Sequence, residues 1–421
     1  MNHKKMKGLL LIALMAVSGL AGCLGTDDDE DDDTASTMDA ADGGYTYASD
    51  VDNHRSLMKD LCDIKTAASA YDWTTAKDIY TNGKNAEKRD GSYRTLAGFA
   101  AADGKNHGYD AYYNQSGSVD AHIMAALDGT GDFAGTSDTV RYQGVAKLTV
   151  NMGMVAYTIH ELNSAIAKAD AGNVDDDTGA PHNWDEGWAF FHGPDEDYSC
   201  SPAKVMEKRA GDFGTTNADG VANTFVATEA AMVAGLAALQ ASDSAGYTAA
   251  AETVVKNLII TYSQAVLKYT SKMDSNDTAE KYQAEGYAFW KAIEAYSAPH
   301  MHDGCYNMAV GHKVMMMGEI DASACDAFIW TNGSQSTDEN ATNDTCYNTV
   351  NHMVSSDATD EAGCDGYTSM YYQDNYAATM MNNVLDLTDA TQLGTSYDVT
   401  AWLQPVWDHY GITAEEIGSY S

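Results

Sequence analysis

The stretch Val145-Ala-Lys-Leu-Thr-Val-Asn-Met-Gly-Met-Val-Ala-Tyr-Thr-Ile-His-Glu-Leu-Asn-Ser-Ala-Ile-Ala-Lys-Ala169 repeats apolar residues at the three- and four-residue spacing of a helix. Five other stretches share this spacing, at 55–70, 73–84, 225–240, 247–272 and 278–296. The alternation typical of strands is scarce. The sequence therefore predicts a mostly α protein in which helices pack as antiparallel hairpins or bundles.

The chain also resembles itself, which predicts a duplicated helical bundle. Three pairs of segments match in the same order: Ala125-Ala-Leu127 with Ala237-Ala-Leu239, Val150-Asn-Met-Gly-Met-Val-Ala-Tyr157 with Val255-Lys-Asn-Leu-Ile-Ile-Thr-Tyr262, and Glu186-Gly-Trp-Ala-Phe-Phe191 with Glu285-Gly-Tyr-Ala-Phe-Trp290. We expect a first helical repeat at 45–200, a second at 201–300, and a Cys-rich loop segment with C-terminal helices at 301–421. Two facing bundles would form a cleft between them, a common place for a ligand.

The N-terminus has the pattern of a lipoprotein signal. Lysines precede an apolar run at 9–17, and the small-residue site Leu20-Ala-Gly-Cys23 follows. We expect a signal peptide at 1–22, lipid on Cys23, and a tether at 23–44 that contains seven consecutive acidic residues. A plain secretory signal with an incidental cysteine is the alternative. The expected location is the cell surface or periplasm, with the chain anchored to the membrane by lipid.

The remaining cysteines indicate disulfides, because export exposes a chain to an oxidising compartment. Six are left besides Cys23, an even number: Cys62, Cys200, Cys305, Cys325, Cys346 and Cys364. Which of them pair stays open at this point. Four of the six fall in a stretch rich in Asn, Asp, Thr and Gly. This distribution predicts a loop-rich C-terminal segment that is stapled by disulfides.

Charge narrows the class of partner. The chain has 24 Lys and Arg against 62 Asp and Glu, a formal net charge of −38. Nucleic acid is excluded as a partner, because its phosphates are bound by basic surfaces. The negative charge favours cations as ligands; the alternative is life in salty water, where a carboxylate surface stays hydrated and its self-repulsion is screened. Hydrophobic residues still make up 44% of the chain, which is enough for a sizeable core.

The densest group of metal donors is Tyr157, His160 and Glu161. Their spacing of i, i+3 and i+4 places all three on one face of a helix. Phenolate, imidazole and carboxylate donors suit Fe(III). The second half of the chain keeps only the tyrosine, Tyr262. The alternative is a Tyr/His pair within a helix interface, with each side chain satisfied by a neighbour.

Glu186 and Glu285 each stand beside a glycine and a run of aromatic residues. Burial against aromatic rings disfavours a carboxylate unless a cation or a hydrogen-bond donor compensates. The segment Asp185-Glu-Gly-Trp-Ala-Phe-Phe-His192 would supply a carboxylate and an imidazole to the same site as Tyr157, His160 and Glu161, and His182 is a further donor nearby. The alternative is that the aromatics form core and that both glutamates cap helices or form salt bridges.

No motif of a known enzyme class stands out. The chain has no Gly-x-Ser-x-Gly, no Walker loop, no His-Glu-x-x-His, no Cys-x-x-Cys and no dinucleotide fingerprint. We therefore expect a binding protein and no catalytic residues. A carbohydrate-active lipoprotein is the enzyme alternative, because the separation of paired carboxylates is visible only in three dimensions. A surface lipoprotein that binds haem or another metal is the binding alternative.

Four stretches in a fixed order resemble the low-iron-inducible, iron-assimilating periplasmic proteins of algae and the related phytotransferrins. They are Asp72-Trp-Thr-Thr-Ala-Lys-Asp-Ile-Tyr80, Gly83-Lys-Asn85, Ser92-Tyr-Arg-Thr-Leu-Ala-Gly-Phe99 and Asp185-Glu-Gly-Trp-Ala-Phe-Phe191. The resemblance runs from about 50 to 300 and implies extracytoplasmic capture of Fe(III), with carbonate as a co-ligand. A lipid tether would keep captured iron at the cell surface, which implies an iron transporter as the partner that receives the metal.

The resemblance carries over two elements of a site. Arg94 is the first choice for holding an anion such as carbonate, because a guanidinium matches the geometry of an oxyanion; a surface ion pair is the alternative. The Asp185-Glu186-Trp188 element also matches. The expected function is therefore a lipid-anchored protein that captures ferric iron for uptake.

Overall fold

The computed structural model describes residues 41–101, 108–307, 313–318, 322–325, 328–331, 345–348, 354–355, 364, 370–373 and 375–420. The expected signal peptide, Cys23 and nearly all of the tether lie outside these residues. The chain forms two compact units. The first takes the chain as far as Ala295, together with Leu385–Asp398 and Ile412–Ser421, and the second comprises Tyr296–Val384 and Val399–Gly411.

The described part of the first unit begins with a short hairpin of β1 (Ala41–Asp42) and β2 (Tyr45–Thr46), and helices follow it along the chain. Its helices are α1 (Asp52–Ser69), α2 (Trp73–Asn82), α3 (Leu96–Ala100), α4 (Gly108–Tyr113), α5 (Ser118–Asp128), α6 (Asp138–Lys147), α7 (Met154–Asp170), α8 (Ala180–His192), α9 (Pro202–Phe213), α10 (Asn223–Gln240), α11 (Ser244–Ser271) and α12 (Ala279–Ser297), the last of which ends in the second unit. The expected mostly α fold is confirmed.

Local sequence signals explain where helices begin and end. The Asp72 carboxylate accepts the backbone N–H of Thr75 at 3.0 Å and caps α2. Gly83 follows the last residue of α2 with φ of 73°, a conformation that favours glycine. Asp243 caps α11 in the same way as Asp72 caps α2, by accepting the N–H of Gly246 at 3.2 Å. The predicted helices at 55–70, 73–84, 225–240, 247–272 and 278–296 are thus confirmed to within a few residues.

The stretch at 145–169 is not one regular helix. A π-helical segment, Leu148–Gly153, separates α6 from α7. Within it, Thr149 Oγ1 donates to the Val145 carbonyl at 2.7 Å, and Asn151 Nδ2 donates to the Lys147 carbonyl at 2.7 Å. Side chains that bond back to the preceding turn compete with the backbone ladder, which is a known cause of wider turns and bends.

Helix α8 lies at the centre of the first unit and packs antiparallel to α7. Every residue of α8 is buried except His182, which is half-buried. The helices around it approach closely: a Cβ on Gly235 of α10 would lie 2.1 Å from Trp184 Cζ2. A disulfide between Cys62 of α1 and Cys200 also ties α1 to the segment before α9. The side chains of α8 therefore meet neighbours on every side.

The matched segments of the predicted duplication lie on helices, and these helices follow one another in the same order in both predicted repeats. Ala125-Ala-Leu127 lies near the end of α5, and Ala237-Ala-Leu239 lies near the end of α10. The Glu186 segment lies on α8 and the Glu285 segment on α12. Both predicted repeats belong to the first unit almost entirely. The duplication and its boundaries stay predictions.

The described elements of the second unit are β3 (Asp303–Asn307), β4 (Lys313–Gly318), α13 (Ala322–Cys325), β5 (Phe328–Thr331), β6 (Thr345–Asn348), β7 (Val354–Ser355), β8 (Met370–Gln373), α14 (Tyr376–Val384) and α15 (Thr400–Tyr410). Its strands form two small antiparallel sheets in the order β4-β3-β8 and β5-β6-β7. The disulfides Cys305–Cys325 and Cys346–Cys364 confirm the expected staples. The short strands were not predicted, since they show little alternation.

The chain ends with α16 (Ala414–Ile417), which belongs to the first unit. Of the helices described, none combines the length and apolar character that a membrane crossing requires.

Candidate metal centre

Two imidazoles converge on one buried carboxylate. His54 Nε2 lies 3.1 Å from Glu186 Oε1, and His182 Nε2 lies 3.2 Å from the same oxygen. Glu186 is only 5% exposed. His54 comes from the first turn of α1, whereas His182 stands one helical turn before Glu186 on α8. The fold thus joins nitrogen and oxygen donors from two helices at a single point.

Asn183 links this point to α7. Its Nδ2 donates to Glu161 Oε2 at 2.7 Å and to Glu186 Oε2 at 3.2 Å. Its Oδ1 is buried and has no hydrogen-bond partner among the residues described. His160 Nε2 lies 4.0 Å from Glu161 Oε1. The centre therefore adds a second carboxylate, an amide oxygen and a third imidazole to the first three donors.

The hydrogen bonds of His182 indicate that both of its ring nitrogens carry protons. Ser49 Oγ donates its proton to Asp185 Oδ2 at 2.8 Å. His182 Nδ1, 2.9 Å from Ser49 Oγ, must then donate to that oxygen. Its Nε2 must also donate to the Glu186 carboxylate. Burial lowers the pKa of His182, but the charge and hydrogen bond of Glu186 outweigh burial and raise it above its usual value.

Glu186 stays ionised despite its burial. Burial raises the pKa of its carboxyl, but the charges of His54 and His182, the hydrogen bond from His182 and the charge of Arg94 hold the pKa well below its usual value. The carboxylate is therefore a standing negative charge inside the protein, and its compensation comes from imidazoles.

A pocket of about 320 Å³ opens beside the two imidazoles. His54 and His182 both belong to its lining. Lys88 and Arg89 also line it, and four carboxylates outnumber these two basic residues: Asp50, Asp52, Glu87 and Asp177. Once His54 and His182 lose their protons, the lining is net negative and raises the local concentration of cations.

An aromatic wall closes the inner side of the centre. The ring of Phe190 lies 5.5 Å from that of His54 and 5.5 Å from that of Tyr157. The Tyr157 hydroxyl donates to the Phe99 carbonyl. Tyr157 therefore stands in the same cluster as His160 and Glu161, but its phenol points to the backbone of α3.

Arg94 is buried next to this wall. Its Nε donates to Asn53 Oδ1 at 2.6 Å, and its guanidinium carbon lies 5.7 Å from the centre of the Phe99 ring. It also lowers the pKa of Glu186 through its charge. The position of Arg94, 5% exposed, differs from that of a surface ion pair.

Asp185 lies beside Glu186 on α8 but points to the N-terminal segment. It accepts the Tyr45 hydroxyl at 2.5 Å, the Ala48 N–H at 2.9 Å and the Ser49 N–H at 2.7 Å, besides the Ser49 hydroxyl. Burial raises the pKa of its carboxyl to about 6, although these hydrogen bonds oppose the shift. Through Ser49 it positions His182.

Three other candidates lie apart from the Glu186 centre. His192 shares a hydrogen bond with the Gly193 carbonyl at 2.8 Å and stacks on Trp188 with ring centres 5.0 Å apart. The Tyr262 hydroxyl donates to Asn151 Oδ1 at 3.0 Å. Glu285 lies 3.9 Å from Lys147 Nζ. Each of these contacts differs from those of Glu186, so the structure does not bring all the expected ligands together.

The donor types fit a borderline or hard cation, since imidazole, carboxylate and amide oxygen are all suitable ligands. Their present arrangement is that of mutual hydrogen bonds. Among the described residues, no three His, Cys, Asp or Glu side chains are spaced as ligands around a common ion. Binding of a cation would require the contacts of His54 and His182 with Glu186 to open.

Sequence reasoning missed His54 and Asn183. His54 stands in an ordinary amphipathic helix, far along the chain from Glu186, and no local pattern distinguishes it. Asn183 does carry a signal, because it precedes Glu186 by three residues and so shares its helix face. A search for amides beside the candidate carboxylates would have found it.

Helical architecture and a buried His/Glu centre below a pocket with four carboxylates in its lining define a candidate cation-binding protein. The family model of Fea1, low iron-inducible periplasmic protein, matches residues 31–293. The chain belongs to this family, and the expected resemblance is confirmed. The family is related to iron and periplasmic by its description. No curated protein and no solved structure matches the chain.

Proposed function

We propose that this protein captures ferric iron outside the cytoplasm and holds it for uptake, as a binding protein and not as an enzyme. The observation that carries the proposal is the convergence of His54 and His182 on buried Glu186 beside a pocket with four carboxylates in its lining. Membership of a low-iron-inducible family supports iron as the cargo.

In the proposed site, His54 and His182 supply nitrogen, and Glu186 supplies the central oxygen. Glu161 and the unpartnered Oδ1 of Asn183 supply further oxygens. The imidazoles turn from Glu186 toward the incoming cation, and the protons that they lose go to solvent. Because cation and protons compete for the same atoms, acid weakens capture.

Carbonate is the proposed co-ligand, with Arg94 as its holder. The guanidinium is buried and close enough to Glu186 to act on its pKa. A bidentate contact with an oxyanion is the arrangement that a guanidinium favours. Binding of carbonate there would place a second negative group beside the cation.

The proposed setting is the membrane surface. A lipid on Cys23 and the acidic tether would keep the folded part outside the membrane but close to it. An iron transporter in the same membrane would then receive the metal. The signal pattern that ends at Cys23 supports the anchor.

Ferric iron, supplied as a soluble chelate, is titrated into the protein with and without bicarbonate, and bound iron is measured by equilibrium dialysis. We expect saturable binding that bicarbonate strengthens. His54→Gln and His182→Gln should each weaken binding by about 10- to 100-fold. His192→Gln is the matched control, because His192 lies on the same helix as His182 but outside the centre.

Equal loss in His182→Gln and His192→Gln would contradict the location of the site. Absence of saturable iron binding in the unmodified protein would contradict ferric capture itself. Arg94→Gln tests the co-ligand separately: it should abolish the effect of bicarbonate while leaving weak iron binding. A bicarbonate effect that survives in Arg94→Gln would contradict the role of Arg94.

A further inference from the structure

The chain contains 26 tyrosines, and the Glu186 centre uses few of them. A second group of polar side chains, on α4 and α12, holds several. Tyr112 Oη donates to Glu294 Oε1 at 3.1 Å, and Tyr113 Oη donates to Glu294 Oε2 at 2.6 Å. Two phenols and a carboxylate thus meet at one point, and we refer to Tyr112, Tyr113 and Glu294 as the tyrosine cluster.

A hydrogen bond between α4 and α12 holds the inner side of the cluster. Tyr109, on the same short helix as both tyrosines, donates to the Ala292 carbonyl of α12 at 2.5 Å. Glu294 is only 2% exposed, whereas Tyr112 and Tyr113 are half-buried. The cluster is therefore preorganised by the fold, and both of its tyrosines are partly exposed.

The ammonium group of Lys291 already compensates the negative charge of the tyrosine cluster. Lys291 Nζ lies 2.6 Å from Glu294 Oε2, and the lysine is 8% exposed. The ammonium, the carboxylate and two neutral phenols sum to zero charge. Burial of a charge without compensation is costly, so any replacement must preserve this balance.

We propose that the tyrosine cluster is a second metal site that takes a trivalent cation in exchange for Lys291. One trivalent ion, the Glu294 carboxylate and two phenolates again sum to zero charge. The two phenol protons go to solvent, and the flexible lysine stem carries its ammonium outward. A divalent ion with the same ligands would leave one uncompensated negative charge.

The donor set agrees with the charge balance. Phenolate and carboxylate are hard oxygen donors, which suit small, highly charged ions such as Fe(III) and Ga(III). His122, whose ring centre lies 4.8 Å from that of Tyr113, offers an imidazole next to the cluster. The site shares no residue with the Glu186 centre and depends on the proposed function only for the choice of ferric iron as the natural ion.

Phenolate formation gives the experiment its signal. Ga(III), which is redox-inert and colourless, is added to the full chain, and ultraviolet difference spectra record the ionisation of tyrosine. Fe(III) is added separately, and the visible phenolate-to-iron charge-transfer band is recorded. We expect both signals in the unmodified protein and loss of both in the double variant Tyr112→Phe/Tyr113→Phe.

Tyr80→Phe is the matched control, because Tyr80 also donates to a carboxylate, that of Asp120, at 2.8 Å, outside the cluster. It should retain both signals. Glu186→Gln should retain them as well, so the failure of one site is distinguished from the failure of the other. Circular dichroism verifies that each variant is folded.

Lys291→Gln offers an independent measurement, because it removes the competing ammonium. It should tighten Ga(III) binding by about tenfold, the equivalent of one charge-assisted hydrogen bond. Absence of tyrosine ionisation in the unmodified protein would overturn the proposal. Survival of the signals in the double tyrosine variant, or weaker Ga(III) binding in folded Lys291→Gln, would also overturn it.

Discussion

Glu186 and Glu285 occupy matching sequences but different surroundings. Each precedes a glycine and a run of aromatic residues on a helix, and each is buried, with exposures of 5% and 7%. Glu186 contacts two imidazoles at 3.1 and 3.2 Å, whereas the cation beside Glu285 is the ammonium of Lys147, at 3.9 Å. The same local pattern therefore yields two electrostatic environments.

The difference shows what a buried carboxylate can be used for. A lysine compensates charge but offers no lone pair while it is protonated, so it competes with metal ions for the carboxylate. An imidazole can compensate charge as a cation and can also ligate a metal once its proton leaves. The partners of Glu186 thus suit exchange with a cation, and the partner of Glu285 suits a fixed ion pair.

The largest expected effect comes from separating α1 from the Glu186 region, since α1 carries His54. Cys62→Ser/Cys200→Ser opens a disulfide that spans 138 residues. Loop entropy predicts a loss of about 5 kcal/mol in the free energy of unfolding and weaker iron binding. Cys346→Ser/Cys364→Ser, which opens an 18-residue span, should cost about 3 kcal/mol. Urea denaturation measures both, and equal losses would contradict the loop-length argument.

The pH dependence of the free energy of unfolding should distinguish the Glu285 region from the Glu186 region. Burial lowers the pKa of Lys147 to about 8, although the charge of Glu285 opposes the shift. The unfolded chain then holds this proton more tightly, so stability should rise by about 3 kcal/mol as pH increases from 8 to 10.5. Urea denaturation of the unmodified protein and of Lys147→Gln at several pH values isolates this contribution. An identical pH slope in both proteins would show that Lys147 does not titrate in this way.

Exchange of each carboxylate for its amide compares the two regions directly. Glu186→Gln removes the charge on which both imidazoles converge, and iron binding should weaken by about 100-fold, or nearly 3 kcal/mol. Glu285→Gln should leave iron affinity within about twofold, because Lys147 and not a metal donor faces that carboxylate. Competition against a chelator of known affinity provides the measurement. Similar losses in the two variants would place the site between both glutamates.

The smallest expected effect concerns the support of His182. Ser49→Ala removes the hydroxyl that accepts from Nδ1 of His182, and iron affinity should fall by about tenfold. Loss of this partner should also lower the pKa of His182, which NMR titration of the ring detects. Ser56→Ala, which changes a serine that lines the pocket, is the control. An unchanged His182 titration would mean that Ser49 does not orient the ring.

Much of the fold could be predicted because its signals are local. Helix spacing located α10, α11 and α12, and in the structure Asp72 and Gly83 set the ends of α2 through contacts within one turn. The even number of cysteines predicted three disulfides, and export supplied the reason. The π-helical segment inside 145–169 was missed, because apolar spacing alone does not reveal side chains that bond back to the helix.

The candidate site could be predicted only in part. The sequence placed His160, Glu161 and Glu186 in one region, and the structure joins Glu161 to Glu186 through Asn183. The sequence also suggested Tyr262 and Glu285 as metal ligands, by analogy between the two halves of the chain. In the structure, Tyr262 contacts Asn151 and Glu285 lies near Lys147. Analogy between repeats transfers local sequence but not the residues that face it from elsewhere.

The sequence by itself determined the helical class, the cysteine framework, the negative charge and the family, because each of these depends on composition or on neighbours along the chain. Only the tertiary structure decided that His54 meets Glu186, that Lys147 lies near Glu285, and that two tyrosines meet Glu294. The physical reason is that a buried charge is compensated by whichever side chain packs against it, and packing between distant helices leaves no periodic trace in the sequence.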